Sequence, residues 1–195
     1  MFSGIVVTTV GYGGQGDDGI HRFELSHWRP NIELGSSISC NGVCLTVVEA
    51  ADDSFGVEII EETIHRSTFA NLKPGARVNV EQSVTATTLL DGGIVQGHVD
   101  CVGRVTDPSP NLTVSFDPRF DELVVEKGGI VLNGVSLTVT AVGDGAASVA
   151  LIPETLRRTN LGELEVGAPL NIEFDIIGKY LVRQRSLEQR EARRS

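Results

Sequence analysis

Apolar and polar residues alternate along most of the chain in short runs, the pattern of half-buried β-strands. The runs are rich in Val, Ile and Thr and are separated by turn residues, and the chain contains 22 glycines. The clearest case is Ser37-Ile38-Ser39-Cys40, followed by Asn41-Gly42 and then by Cys44-Leu45-Thr46-Val47-Val48. Because both Asn and Gly accept positive φ, Asn-Gly between two apolar runs predicts a tight hairpin.

The same pattern occurs twice. Asn41-Gly42-Val43-Cys44-Leu45-Thr46-Val47 recurs 92 positions later as Asn133-Gly134-Val135-Ser136-Leu137-Thr138-Val139. Blocks in the same register indicate a tandem duplication whose period suits a small domain rather than a solenoid repeat. The other matching blocks are 62–66 with 154–158, 75–81 with 167–173 and, shifted by one position, 2–6 with 95–99.

Each copy is predicted to fold as one small closed barrel. Roughly six short strands in about 90 residues fit such a barrel, and closure removes exposed sheet edges. Helical periodicity is confined to short segments before Asn71 and Asn160 and to the stretch from Ile176. The predicted division is a first barrel over residues 1–92, a second over 93–178, and a C-terminal helix over 179–195.

Composition excludes several classes of protein. Apolar residues make up 41% and charged residues 22%, which is ordinary globular usage and neither disordered nor fibrous. No apolar run approaches the roughly 20 residues of a membrane span, and Met1-Phe2-Ser3-Gly4 lacks the basic start of a secretion signal. We therefore expect a soluble, cytoplasmic protein with no membrane partner. The net charge of −10 argues against nucleic acid, whose phosphates select clustered Lys and Arg.

The cysteine and histidine counts argue against structural disulfides and metal sites. Cys40, Cys44 and Cys101 are an odd, sparse set, which does not describe a disulfide framework. Cys40 and Cys44 lack a second Cys or His pair at metal-ligand spacing, and the four histidines are scattered. We expect no metal and no other cofactor.

The positions where the two copies differ are the candidates for chemistry. Cys44 in the first copy corresponds to Ser136 in the second, and Ile5 corresponds to His98. This asymmetry suits a reaction in which two similar molecules take different roles. Each residue also has a structural interpretation: Cys44 as a small buried hydrophobe, Ser136 as a partner for strand-end backbone groups, and His98 as one more structural histidine.

The most specific motifs together cover nearly the whole chain, at residues 1–6, 41–47, 97–100, 133–139, 152–156 and 175–180. They resemble the riboflavin synthase family of the alpha-chain type, which has two lumazine-binding repeats. The resemblance implies two six-stranded Greek-key barrels and a C-terminal helix, assembled as a homotrimer. It also implies a cofactor-free dismutation: two 6,7-dimethyl-8-ribityllumazine molecules exchange a four-carbon unit and yield riboflavin and a ribitylaminopyrimidine.

The resemblance implies roles for individual residues, in a site between the N-terminal barrel of one subunit and the C-terminal barrel of its neighbour. Four residues match catalytic positions: Cys44, His98, Ser136 and Asp175. The substrate-binding residues implied at the N-terminal barrel are Gly4, Ile5, Val6, Leu45, Thr46, Glu58, Ile60, Glu62 and Thr63. Those implied at the C-terminal barrel are Gly97, Val99, Lys127, Asn133, Leu137, Thr138, Ala150, Ile152, Glu154 and Thr155.

The reaction explains why such residue types are needed. The C7 methyl group of the lumazine is acidic, so a base and hydrogen bonds to the resulting anion create a carbon nucleophile. The acceptor lumazine is activated by water or by a thiol such as Cys44. Holding the two flat heterocycles face to face removes most of the entropic barrier.

Several positions depart from the family pattern. Gly93 stands where a histidine is usual, Asn133 where an aspartate is usual, and Ser67-Thr68-Phe69-Ala70 where Thr-Asn-Leu-Gly is usual. Two alternatives to an enzyme therefore remain. One is a lumazine- or flavin-binding paralogue without turnover, and the other is a structural barrel protein without a ligand.

Overall fold

The computed structural model describes residues 1–28 and 30–193. Two closed antiparallel barrels of six strands each follow one another along the chain. The strand order around the first barrel is β1-β2-β5-β4-β3-β6, and the second repeats this order with its own six strands. The predicted all-β tandem duplication, with six strands in each half, is confirmed.

The first barrel runs from the first strand to residue 82, and its described residues include a short helix and a 3-10 turn. Its elements are β1 (Thr8–Gln15), β2 (His21–Glu24), β3 (Ser37–Cys40), β4 (Val43–Ala50), β5 (Ser54–Val57), α1 (Glu61–Arg66), the turn Thr68–Asn71 and β6 (Arg77–Gln82). The predicted hairpin joins β3 to β4, with Asn41 at φ 48° and Gly42 at φ 78°.

The second barrel follows the same plan. Its elements are β7 (Cys101–Asp107), β8 (Asn111–Ser115), the 3-10 turn Pro118–Leu123, β9 (Gly129–Leu132), β10 (Val135–Gly143), β11 (Ala146–Ala150), α2 (Pro153–Arg158), the 3-10 turn Asn160–Glu163 and β12 (Pro169–Phe174). Asn133 and Gly134 form the equivalent hairpin between β9 and β10, with φ 46° and 83°.

Each barrel has its own hydrophobic core, and the two cores differ in composition. The first is aromatic, with Phe23 stacked on Phe55 at 4.9 Å between ring centroids. The second is built mainly from buried Val, Leu and Ile. Val6 precedes the first barrel yet lies in the core of the second, and Val99 packs against the core of the first. The segments that precede the two barrels, residues 1–7 and 94–100, are therefore crossing segments: each lies against the other barrel.

The barrels meet through a buried set of amide side chains. Gly42 and Gly134 approach so closely that a Cβ on Gly42 would lie 2.7 Å from the Gly134 nitrogen. Around this contact, Asn79 Nδ2 donates to Asn133 O at 2.9 Å, and Asn171 Nδ2 donates to Asn41 O at 2.8 Å. The matching distances describe a pseudo-twofold axis between the two hairpins.

The C-terminal helix α3 spans Ile176–Ala192. Asp175 caps it by accepting a hydrogen bond from the Ile177 N–H at 2.7 Å, so the helix begins three residues before the predicted boundary at 179. The last two residues assigned to it, 194 and 195, lie outside the described residues. Among the residues described, no helix is long and apolar enough to cross a membrane.

Candidate functional site

The crossing segments are the structural basis of the candidate site. Phe2 and Val95 form an antiparallel bridge, and Phe2 N–H donates to Val95 O at 2.7 Å. The Ser136 N–H on the second barrel donates to Gly4 O at 2.9 Å, and the Cys44 N–H on the first barrel donates to Gly97 O at 2.8 Å. Each barrel therefore carries the segment that precedes the other.

Glycine is required where each crossing segment contacts the opposite barrel. Gly4 and Gly97 have φ of +76° and +77°, in the left-handed region that disfavours a side chain. A Cβ on Gly4 would lie 2.5 Å from the Cβ of Ser136, and one on Gly97 would lie 2.7 Å from the Cβ of Cys44. These contacts bring Ile5, the residue after Gly4, beside β10, and His98, the residue after Gly97, beside β4.

Two buried carboxylates hold the crossing segments in place. Glu81 accepts hydrogen bonds from Ser3 N–H and Oγ, both at 2.7 Å, and from Gly4 N–H at 3.0 Å. Glu173 accepts from the N–H groups of Gln96, Gly97 and His98 at 2.7, 2.8 and 3.0 Å. Burial raises the pKa of both carboxyls above the usual value, and these hydrogen bonds act against that rise.

The first pocket lies on the first barrel and has a volume of about 170 Å³. Its walls come from the start of β4, from α1 and from the crossing segment of the second half. The lining residues are Val43, Cys44, Glu62, Thr63, Arg66, Ser67, Gly97, His98 and Val99. The pocket therefore brings together a thiol, an imidazole, a carboxylate and a guanidinium.

The second pocket lies on the second barrel and is larger, about 360 Å³. Its lining residues are Gly4, Ile5, Val6, Val135, Ser136, Ile152, Glu154, Thr155, Arg158 and Thr159. Ile5 and Ile152 are large apolar side chains that stay exposed in this chain, at 48% and 63% of their surface. Ile5 and Ile152 thus form an exposed apolar wall of the pocket, and its polar groups come from residues such as Ser136, Glu154 and Thr155.

The two pockets are equivalent in position and differ at a few chemical groups. Cys44 in the first corresponds to Ser136 in the second, and His98 corresponds to Ile5. Both pockets contain the Glu-Thr pair at the start of a short helix and the Arg at its end. The asymmetry predicted from the two copies is therefore found inside two matching cavities.

The carboxylates of the two pockets are also held differently. In the first pocket Glu62 pairs with Arg66. In the second pocket Glu154 pairs with Arg158 and with Arg157, whose Nη2 lies 2.7 Å from Glu154 Oε1. Hydrogen bonds from Arg157, and then from Arg158, lower the pKa of Glu154. His65 occupies the position of Arg157 in the first half.

Comparisons with known proteins identify this architecture. A family model described as the lumazine binding domain matches twice, at residues 4–83 and 96–175. The riboflavin synthase of Mycobacterium tuberculosis strain H37Rv is 40% identical over 158 residues, covering 76% of this chain and 79% of that protein. This chain belongs to the riboflavin synthase family. The Bacillus subtilis strain 168 enzyme is 35% identical over 158 residues, covering 78% of this chain and 74% of that protein.

Two solved structures of LumP share the fold. The complex with 6,7-dimethyl-8-(1'-D-ribityl) lumazine has a TM-score of 0.75 and 26% identity, covering 89% of this chain and 98% of LumP. The complex with riboflavin has a TM-score of 0.76 and 26% identity, covering 90% of this chain and 100% of LumP. The resemblance stated from the motifs is confirmed at the level of the family.

The grouping of site residues expected from the family resemblance is wrong in one respect. Gly4, Ile5 and Val6 were expected in the N-terminal barrel pocket but line the second pocket with Ser136. Residues 97–99 were expected at the C-terminal barrel but line the first pocket with Cys44. The reason is the antiparallel bridge between Phe2 and Val95, which joins the two crossing segments. Beyond this bridge, each segment contacts the opposite barrel instead of the barrel that follows it in the chain.

Several residues expected to bind substrate lie outside both pockets. The side chain of Leu45 is buried in the first core, and Leu137 packs against the second, because alternate residues of a strand face opposite sides. Thr46 and Thr138 are exposed two residues beyond Cys44 and Ser136. Exposed positions that line neither pocket are Glu58, Ile60, Lys127 and Ala150.

Asn133 lies away from both pockets, and Asp175 borders a third, smaller cavity. Asn133 is buried between the barrels, and its Oδ1 accepts from the Asn171 N–H at 2.8 Å. Asp175 caps α3 and borders a cavity of about 50 Å³ that also contacts Ser136. Ser136 Oγ donates to Gly92 O at 2.8 Å, so this hydroxyl lies between that cavity and the second pocket.

Four functional positions were not singled out from the sequence. Arg66 and Arg158 line the pockets, and Glu81 and Glu173 hold the crossing segments. All four lie in blocks that recur at the offset of 92 positions. A charged residue kept in both copies of such a block was the available signal.

The described residues contain no cluster of three or more His, Cys, Asp or Glu that would hold a metal ion. Cys40 is fully buried, and burial raises the pKa of its thiol. Burial also raises the pKa of Cys101 to about 12, with the Asp100 carboxylate as the next cause. Cys44 is the cysteine that lines a pocket.

Proposed function

We propose that this protein catalyses the riboflavin synthase reaction. Two molecules of 6,7-dimethyl-8-ribityllumazine exchange a four-carbon unit, one giving riboflavin and the other 5-amino-6-ribitylaminopyrimidinedione, so the enzyme is a transferase that needs no added cofactor. The observation that carries the proposal is the pair of equivalent pockets with different chemical groups at matching positions. Two identical substrates placed in such pockets take unequal roles.

The pockets offer the contacts that a ribityllumazine requires. Exposed Ile5 and Ile152 provide an apolar surface against which a flat heterocycle packs. The Glu-Thr pairs, Glu62 with Thr63 and Glu154 with Thr155, provide hydrogen-bonding groups for the ribityl hydroxyls.

The first pocket contains the groups for proton transfer and acceptor activation. His98 removes or returns the proton of the C7 methyl group, and Cys44 activates or positions the acceptor lumazine. In the second pocket, the Ser136 hydroxyl, which donates to Gly92 O in the free protein, turns to donate its proton to the developing anion. Asp175 acts from the small cavity that Ser136 also lines.

We further propose that the protein works as a homotrimer in the cytoplasm. The reaction needs two lumazines stacked face to face, and each pocket is open on one side, so the first pocket of one subunit faces the second pocket of its neighbour. The exposed apolar residues Ile177, Tyr180 and Leu187 on α3 support an assembly contact along this helix.

The decisive experiment supplies ribityllumazine alone, without oxygen and with a chelator present. We expect one riboflavin for every two lumazines consumed, because one substrate supplies the carbon unit that the other receives. Saturable binding without riboflavin would instead favour the lumazine- or flavin-binding paralogue. The absence of binding would exclude both functions.

The variant His98→Ala tests the assignment of the base. It should lower kcat by about 10²–10⁴-fold while the protein stays folded. His27→Ala, at an exposed histidine outside both pockets, is the control and should keep the full rate. An unchanged rate in both variants would remove His98 from the mechanism.

The binding paralogue has weaker support than the sequence indicated. Asn133, which stands where the family has an aspartate, lies between the barrels and lines neither pocket. In Asn133→Asp one carboxylate oxygen would face Asn160 Oδ1, which now lies 3.4 Å from the Asn133 amide nitrogen. We therefore expect this variant to lose about 1 kcal/mol of stability and to gain no activity.

A further inference from the structure

The segment that carries His98 is held by the C-terminal helix as well as by the barrels. Asp100 follows His98 by two residues, and its Oδ2 lies 2.6 Å from Lys179 Nζ on the first turns of α3. The same oxygen accepts from the Phe174 N–H at 2.9 Å, and the Asp100 N–H donates to Ile172 O at 2.8 Å. The segment is thus attached to the junction between β12 and α3.

The ion pair is shielded enough to fix a geometry. The side chains of Lys179 and Asp100 are only 22% and 20% exposed, whereas the members of the other described ion pairs are at least 39% exposed. Lys179 also acts electrostatically on Glu173, where it opposes the rise in pKa that burial causes. Glu173 is the carboxylate that accepts the His98 N–H, so Lys179 acts on both anchors of this segment.

Among the described residues of the first half, no ion pair occupies the equivalent position. Val7 corresponds to Asp100 and is an exposed apolar residue, at 44% of its surface. Its segment carries Ile5 in place of His98. The additional ion pair therefore occurs on the side where a reactive imidazole, rather than an alkyl side chain, must be placed.

We propose that Lys179 is a positioning residue for His98, acting through its ion pair with Asp100. This rests on the proposed function, in which His98 transfers the proton. A proton-transfer group loses rate when its geometry relaxes by a fraction of an ångström, while the binding of the substrate changes little. Loss of Lys179 should therefore affect kcat and spare KM.

Three variants of the full-length protein test the proposal. Lys179→Met should lower kcat on the order of 10-fold with KM within about 2-fold, and should shift the imidazole NMR signals of His98. Lys179→Arg keeps the charge and should restore most of kcat and the His98 signals. Arg185→Gln is the matched control, because Arg185 on the same helix pairs with Glu122 in an exposed contact. It should leave kcat and the His98 signals unchanged.

Further measurements separate positioning from folding. Sedimentation and thermal unfolding of each variant show whether assembly or the fold is lost. If Lys179→Met does not fold, Asp100→Asn removes the other partner and should give the same loss of kcat. Where both fold, the double variant should be no worse than either single one.

The contradicting results are distinct from those that would contradict the proposed function. Unchanged kcat and unchanged His98 signals in Lys179→Met would overturn the positioning role, as would equal losses in Lys179→Arg and Lys179→Met. If the wild-type protein makes no riboflavin, the proposed function fails. The His98 signals then decide the positioning role alone.

Discussion

The two pockets share a backbone and differ in their chemistry. Both are built by a crossing segment that rests on a glycine, by a hairpin strand and by a short helix with a Glu-Thr pair. The first adds Cys44 and His98 where the second has Ser136 and Ile5. Duplication thus supplied two cavities at equivalent positions of the fold, and a few side-chain exchanges made their chemistry unequal. The barrels themselves tolerate such exchanges because the differing side chains lie outside their cores.

The largest effect on stability is expected where each crossing segment contacts the opposite barrel. Gly97→Ala would place a Cβ 2.7 Å from Cys44 Cβ at a φ of +77°, so strain and a clash add. We expect a loss of about 2–5 kcal/mol in unfolding free energy, measured by urea denaturation. Gly4→Ala should cost a similar amount at the second pocket, because the equivalent distance is 2.5 Å.

Two other glycines provide the control for this comparison. Gly75 and Gly167 have φ of +86° and +85°, and a Cβ added at either position would meet no atom within 4 Å. Alanine at either position would be strained by the positive φ but would not clash, so the unfolding free energy should fall by only about 1–2 kcal/mol. Equal losses at all four glycines would mean that the close approach of the segments does not matter.

A medium effect is expected in the amide network between the barrels, where the halves also differ. Asn160 Nδ2 donates to Asn41 Oδ1 at 3.0 Å and to Arg77 O at 2.9 Å. Asn160→Thr removes the amide donor to Arg77 O and one of the two donors to Asn41 Oδ1, which also accepts from the Asn79 N–H at 2.9 Å, and it should cost about 2 kcal/mol.

The equivalent position in the first half already carries the shorter side chain. Thr68 uses its N–H to donate to Asn171 Oδ1 at 2.8 Å but has no amide to repeat the bonds of Asn160. Thr68→Asn should therefore gain about 1 kcal/mol in unfolding free energy. A loss at both positions would show that the two sides of the network are not equivalent.

The smallest effect is expected from a buried histidine in the first barrel. His21 Nδ1 lies 2.7 Å from Tyr12 Oη, and the second barrel has apolar residues at the two equivalent positions, Val105 and Leu112. Burial lowers the pKa of His21 below its usual value of 6.5. Below about pH 6.5 the unfolded chain therefore binds a proton that the folded chain resists, and stability falls as the pH falls.

The double variant Tyr12→Phe/His21→Phe removes this contribution. Its unfolding free energy should depend less steeply on pH between about 7 and 5, by at most about 1.4 kcal/mol per pH unit. The raised pKa values of Glu81 and Glu173 act with the opposite sign. The wild-type protein and the double variant both contain these carboxyls, so their contributions cancel when the two pH dependences are subtracted. Identical pH slopes in the two proteins would therefore contradict the assignment to His21.

The sequence predicted the fold well, because the duplication and the Asn-Gly hairpins are local signals. It also predicted the asymmetry between Cys44 and Ser136. It did not predict which barrel each crossing segment contacts, because the bridge between Phe2 and Val95 joins residues far apart in the chain. Asn133 was misplaced for the same reason, since its partners Asn79 and Asn171 come from two different strands.

The most direct test of the account is the number of ribityllumazine molecules bound per chain, measured by titration calorimetry on the His98→Ala variant. The slow variant keeps the substrate unconverted during the measurement. Two equivalent cavities predict two molecules per chain with unequal affinities; adding Gly4→Ala should remove the molecule in the second pocket, and adding Gly97→Ala should remove the molecule in the first. A single molecule per chain would contradict the claim that both pockets hold substrate.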